Sequence, residues 1–257
     1  MRQKIVAGNW KMNLTAKEGK KLVKDLAKGI KEWGKMSENT QVVVSPTAPY
    51  LSIILKSIPK EMRDFFHVAA QNCHEENKGA FTGEIAPAML KDIGCDSVII
   101  GHSERRKYFG ETDTLLAKKI DQALANELGI IYCCGEVIEE RQANCHFEVV
   151  SQQVKQALFH LDKKAMENIV IAYEPVWAIG TGHTATPEQA EEMHAHIRSL
   201  VARQYSNRLA NNVSILYGGS VKPANAKELF SQKNVDGGLV GGASLKAADF
   251  LAILQAI

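Results

Sequence analysis

Eight short runs of β-branched and other apolar residues are spaced along the chain, at positions 4–8, 41–45, 67–71, 97–101, 129–133, 169–173, 213–217 and 237–240. Their interiors are nearly all apolar, which predicts strands covered on both faces. Between them the apolar spacing changes to that of a helix. Residues 113–128 carry Leu116, Ile120, Ala123, Leu124 and Leu128 on one stripe. Thr186 is placed to cap a helix that Pro187 opens, with Gln189 completing a capping box. The stretch 247–257 predicts a closing apolar helix.

Strand–helix alternation calls for a parallel sheet with helical crossovers. Eight such units in 257 residues is the size of one (β/α)8 barrel, an α/β fold with residues 1–257 as a single domain. The competing architecture is an open doubly wound sheet. It needs fewer strands, and no Gly-x-Gly-x-x-Gly follows the first run to support it. A barrel places functional side chains where each strand ends. Asn9 and Lys11 follow the first run, Asn72 the third, His102 and Glu104 the fourth, Glu136 the fifth and Glu174 the sixth. Gly218-Gly219-Ser220 follows the seventh and Gly241-Gly242 the eighth.

Composition excludes several classes. With 45% hydrophobic and 23% charged residues the chain is of ordinary globular type. A net charge of +2 is too small to argue for nucleic acid or an anionic membrane surface. No apolar run approaches the roughly 20 residues of a spanning helix, and the N-terminal apolar stretch is too short for a signal peptide. Five cysteines, odd in number and without Cys-x-x-Cys spacing, fit reduced thiols in the cytoplasm. No metal is expected: His194 and His196 face apart at i, i+2 on a helix, and Cys133 and Cys134 point to opposite faces of a strand.

The chemistry concentrates at the strand ends. Glu174 ends a buried run beside Pro175 and a glycine-bearing loop, a natural position for a general base next to a movable segment. The loop, Ala178-Ile-Gly-Thr-Gly-His183, reads as a lid, being longer than a plain connector needs. His102 precedes a helix start at Ser103, which favours a neutral imidazole that donates a hydrogen bond. Lys11 reads as a fixed cation facing the site, or as a solvated charge. The two terminal glycine turns suit main-chain N–H contacts to a phosphate; the alternative is tight turns that need positive φ.

Five segments, in order and spanning nearly the whole chain, resemble the triosephosphate isomerase family. They are Gly8-Asn9-Trp10-Lys11-Met12-Asn13, Gly101-His102-Ser103-Glu104-Arg105-Arg106, Ala172-Tyr173-Glu174-Pro175-Val176-Trp177, Tyr217-Gly218-Gly219-Ser220-Val221 and the run from Gly238 to Ser244. The resemblance implies a cofactor-independent interconversion of dihydroxyacetone phosphate and D-glyceraldehyde 3-phosphate, a step of glycolysis and gluconeogenesis. It implies Glu174 as the base, His102 as the neutral donor to the enediolate, and Lys11 and Asn9 as further polar support. It implies Asn9, Lys11, Gly180, Ser220, Gly241 and Gly242 as substrate-binding residues. It also implies a homodimer in which the long 72–84 loop enters the partner subunit, with Thr82 reaching toward the other site. The alternative is a phosphate-ligand binding barrel without catalysis, which has no need of the base and its donor together. Two positions depart from the family's usual pattern: His183 stands where lysine is common, and Cys134 where isoleucine is common, adding an oxidisable thiol beside Cys133.

Overall fold

The computed structural model describes residues 2–180 and 184–257. Its strands are β1 (Lys4–Asn9), β2 (Thr40–Ser45), β3 (Phe66–Ala70), β4 (Ser97–Ile100), β5 (Gly129–Cys134), β6 (Ile169–Tyr173), β7 (Ile215–Tyr217) and β8 (Gly237–Val240). They pair in chain order as a closed parallel barrel, with Ile5 to Gly8 of β1 in register with Gly237 to Val240 of β8. The expected (β/α)8 barrel is therefore the observed fold.

The strand side chains divide into two layers, as the two-residue period of a strand requires. Ile5, Ala7, Val43, Ala69, Ile99, Ile131, Cys133, Ala172, Leu216 and Leu239 fill the barrel interior. Their neighbours, among them Val6, Val42, Val44, Val68, Ile100 and Tyr132, pack outward against the helices. Burying each large aliphatic side chain contributes about 1.5–3 kcal/mol. Cys133 and Cys134 take opposite faces as expected. Both are fully buried, and burial pushes both thiols well up. The thiol added at Cys134 is thus sealed from solvent and poorly ionised, which removes the expected oxidisable site.

Local signals set the element ends. The helix Ala16–Trp33 starts at Thr15, which forms a reciprocal capping box with Glu18, and stops at Gly34 in the left-handed conformation. The helix Pro187–Gln204 is capped by Thr186 and Gln189 as expected. The helix Asp113–Ala125 ends before its apolar stripe does. Glu127 turns left-handed at φ 56°, and the N–H of Leu128 folds back to the carbonyl of Ala123. At the end of the barrel where the strands begin, buried Asp236 accepts from Arg2 and Arg198, each at 2.7 Å, joining the N-terminal residues and the start of β8 to the Pro187–Gln204 helix.

Candidate active site

The opposite end of the barrel holds a cavity of about 330 Å³. Asn9, Lys11, His102 and Glu174 line it from the ends of β1, β4 and β6, and Gly180, Ser220, Gly241 and Gly242 line it from the loops after β6, β7 and β8. Every residue expected to act in catalysis or substrate binding therefore borders one space. Asn72 and Glu136, also strand-end residues, do not border it. Asn72 accepts from Lys119 at 2.9 Å, and Lys119 in turn bonds buried Glu111. Glu136 is fully buried and accepts from Tyr173 Oη at 3.0 Å, Trp177 Nε1 at 2.9 Å and Arg141 Nη1 at 3.2 Å. Its carboxylate holds down the short turn Val176–Ala178 that follows β6.

Glu174 is 1% exposed. Its main-chain N–H bonds the carbonyl of Cys134 at 2.8 Å, which continues the β5–β6 ladder by one residue before Pro175 ends it. Its Oε2 accepts the main-chain N–H of Ser103 at 2.8 Å. Its Oε1 lies 3.0 Å from His102 Nε2, a close contact that is not aligned as a hydrogen bond, so this oxygen has no aligned donor. A buried carboxylate oxygen held without a hydrogen bond is costly, and here it borders the cavity.

His102 caps the helix Ser103–Phe109, and its Nδ1 accepts the N–H of Glu104 at 3.2 Å. An accepting Nδ1 carries no proton, so the neutral ring has its hydrogen on Nε2, which faces Glu174. Helix capping thus selects the tautomer. Lys11 stands at φ 52°, an uncommon conformation for a residue with a side chain. Gln71 donates to the carbonyls of Lys11 at 2.9 Å and Ser45 at 2.8 Å, and Asn9 Oδ1 accepts the N–H of Lys11 at 3.0 Å. Lys11 Nζ bonds Glu104 Oε1 at 2.5 Å. The cation is fixed as expected, and it is also partnered by a carboxylate on the cavity wall.

Space, rather than positive φ, explains the terminal glycines. None of Gly218, Gly219, Gly241 and Gly242 has positive φ. A Cβ on Gly218 would stand 2.8 Å from Glu174 Cγ and 3.1 Å from the Tyr173 carbonyl. A Cβ on Gly242 would meet no protein atom within 4 Å. The first glycine makes room for the carboxylate; the second leaves main chain open to the cavity.

The lid reading reaches past the described residues. Gly180 borders the cavity, whereas Thr181, Gly182 and His183 lie outside the described part of the chain. Sequence reasoning missed the Ser103 N–H, the Gln71 clamp and the Lys11–Glu104 pair. Only Glu104 carried a signal, its place after the fourth strand. Among the described residues no group of three or more His, Cys, Asp or Glu side chains is placed to hold a metal ion, and no helix is long and apolar enough to cross a membrane.

The family model for triosephosphate isomerase matches residues 4–257. The chain belongs to the triosephosphate isomerase family. It is 52% identical over 256 residues to a triosephosphate isomerase of Porphyromonas gingivalis, covering 100% of both chains. It is 50% identical over 257 residues to that of Flavobacterium johnsoniae and 49% identical over 257 residues to that of Flavobacterium psychrophilum, again covering 100% of each. The triosephosphate isomerase match includes all eight strands, so each strand end that walls the cavity falls within it.

Proposed function

We propose that the cavity interconverts dihydroxyacetone phosphate and D-glyceraldehyde 3-phosphate, with Glu174 carrying one proton between neighbouring carbons. The observation that carries this reading is the buried Glu174 carboxylate 3.0 Å from Nε2 of His102, whose Nδ1 accepts the Glu104 N–H. Glu174 removes the proton beside the substrate carbonyl. The negative charge that develops on the carbonyl oxygen is met by the His102 Nε2–H, with Lys11 and Asn9 adding charge and hydrogen bonding. The hydroxyl proton of the adjacent carbon passes to the former carbonyl oxygen, and return of the carbon-bound proton to that adjacent carbon then gives the other isomer. The two sugars have the same composition, so the step needs no oxidant, reductant or cofactor.

Phosphate binding falls to the main-chain N–H groups of Gly180, Ser220, Gly241 and Gly242, with Lys11 as the cation. Gripping the phosphate lets binding energy remote from the chemistry close the lid, and closure excludes water from the enediolate. Residues 1–257 act as one barrel domain in glycolysis and gluconeogenesis, in the cytoplasm, where buried and unpaired cysteines are stable. The working unit is a homodimer joined through the 72–84 loop, with Thr82 directed to the partner's site. Thr82 and Phe81 are exposed in that loop, and Met12 beside Lys11 is 92% exposed, so apolar surface is available for burial both on the loop and beside the cavity.

A coupled assay on glyceraldehyde 3-phosphate, with chelator present, tests the activity. Glu174→Gln is expected to lower turnover by about 10²–10⁴-fold while affinity for a phosphate competitor survives. Near-normal turnover in that variant removes Glu174 from the base role. Binding without any turnover in the folded parent chain leaves the non-catalytic phosphate-ligand barrel. Sedimentation at graded concentration tests the dimer, which Thr82→Arg is expected to weaken.

A further inference from the structure

The helix Ala16–Trp33 turns its apolar face, Leu22, Val23, Leu26 and Ile30, into the core and sends its lysines outward. Lys20, Lys24, Lys28 and Lys31 then form one rim of a groove of about 690 Å³, and Lys56, just after the helix Leu51–Leu55, stands on the other side. Glu61 is the single acid in the lining, so the groove carries a formal +4, against +2 for the whole chain. Lys28 lies 3.7 Å from Glu32 on its own helix. Among the described residues, Lys20, Lys24, Lys31 and Lys56 have no ion-pair partner. Like charges gathered in excess of their counter-charges repel one another, and a ligand of opposite sign relieves that repulsion.

Between the rims the groove is apolar. Ala27, Pro59 and Met62 contribute to its lining, and Ile53 is exposed there although most aliphatic side chains of this chain are covered. The groove is separate from the cavity at the strand ends and shares no residue with it. It also lies outside the 72–84 loop, so neither substrate binding nor the proposed dimer contact occupies it.

We infer that this groove docks an acidic amphipathic helix of another protein. The four rim lysines of the long helix fall nearly one turn apart, and Lys20 to Lys31 spans about 16 Å at helical rise. A partner helix of about three turns, with acids repeated at i and i+4, matches that stripe with one face and sets aliphatic side chains against Ile53 and Met62 with the next. A single-stranded nucleic acid fits less well. Its bases need aromatic platforms, and the lining contains no Phe, Tyr or Trp. The concave shape likewise does not suit a flat lipid surface.

The test uses the full chain and a labelled synthetic three-turn helical peptide with glutamates on one face and leucines on the other, followed by fluorescence anisotropy. A scrambled peptide of the same composition, polyglutamate and an oligouridylate strand serve as comparisons. Binding of the amphipathic peptide is expected to fall severalfold between about 50 and about 300 mM salt. It is expected to fall about tenfold or more in the triple variant Lys24→Glu, Lys28→Glu, Lys56→Glu. A separate Ile53→Asp variant is expected to lose affinity while isomerase turnover and melting temperature stay near those of the parent. Failure of the amphipathic peptide to bind overturns the inference. So does equal binding of the scrambled peptide or polyglutamate, tighter binding of the oligouridylate, or indifference to both sets of substitutions.

Discussion

The main-chain N–H of Ser103 donates to Glu174 Oε2 at 2.8 Å, joining the first residue of one short helix to the carboxylate at the end of a strand 71 residues away. One backbone group thereby orients the proposed base. The same helix start has His102 as its cap, so one local feature fixes both the tautomer of the donor and the direction of the acid.

Ser103→Pro removes that contact. Proline is well tolerated at the first position of a helix, and His102, at φ −50° and ψ 138°, already has the extended backbone that a following proline requires. The substitution therefore spares the helix, but the ring Cδ takes the place of the N–H hydrogen, and with the acceptor 2.8 Å from the nitrogen the Glu174 carboxylate must swing away. Loss of a charge-assisted bond to a buried carboxylate is expected to cost about 2 kcal/mol of stability. Chemical denaturation measures it. The cost should shrink in a Glu174→Ala background, where neither the acceptor nor the overlap remains; an equal cost in both backgrounds would show that the contact with Glu174 does not carry it.

The two glycine turns are expected to fail in different ways when filled. In Gly218→Ala the new methyl overlaps Glu174 Cγ, so the carboxylate must shift. A misplaced base loses rate more than binding, and kcat is expected to fall by about 10–100-fold with KM little changed. In Gly242→Ala the methyl meets no protein atom within 4 Å but enters the cavity. There KM is expected to rise severalfold, with stability within about 0.5 kcal/mol of the parent. Steady-state kinetics on the two variants separates the effects, and the opposite assignment would refute the division between base and phosphate ends.

Most of the fold was legible because a strand covered on both faces must be apolar throughout, and eight such runs interrupt the helical pattern. The seventh run was read too long: Val213 and Ser214 precede β7, with the Val213 N–H bonded back to Leu209 and Ser214 Oγ tied to the Gln3 carbonyl. The side chains of the site were legible for a similar reason. Asn9, Lys11, His102 and Glu174 are polar residues at the ends of apolar runs, and a barrel brings those ends together. Contacts made by main chain were not legible. The Ser103 N–H carries no mark in the sequence, and Gln71 reads only as the last residue of the third run until its bond to the carbonyl of left-handed Lys11 is seen. Gly218 and Gly242 look alike as letters, and only their neighbours in space tell them apart.

Thiol chemistry should follow burial rather than sequence neighbourhood. Cys133 and Cys134 adjoin in the chain but are enclosed on opposite faces of β5, and burial pushes the thiols of Cys73 and Cys95 up to about 12. Cys145 is the partly exposed cysteine, its Sγ donating to the Glu140 carbonyl at 3.2 Å. An aromatic disulfide reagent is expected to label Cys145 in the native protein and the other four only on unfolding. Peptide mapping of the labelled sites decides this, and native labelling of Cys134 would restore it as an oxidation site.

His194 sets an acid limit on stability. Its ring is fully buried, packs edge-on against Tyr173 at 5.8 Å and lies 3.2 Å through Nδ1 from the Asn234 carbonyl. Burial, with a smaller push from Arg198, lowers its pKa from 6.5 to about 4, against the opposing pull of the Asn234 carbonyl and Asp236. In the unfolded chain the ring regains its ordinary value and binds a proton that the folded chain refuses. The unfolded state therefore gains protons first as pH falls, and stability drops from about pH 6.5 downward, by as much as about 3 kcal/mol by pH 4. Half-buried His196, also lowered by desolvation, acts in the same direction. Urea unfolding between about pH 7 and pH 5, above most carboxylate titration, is expected to show the decline. His194→Gln, which retains a polar side chain but no titrating group, should be less stable at neutral pH and lose most of the slope. A slope unchanged in that variant would move the acid sensitivity to other groups.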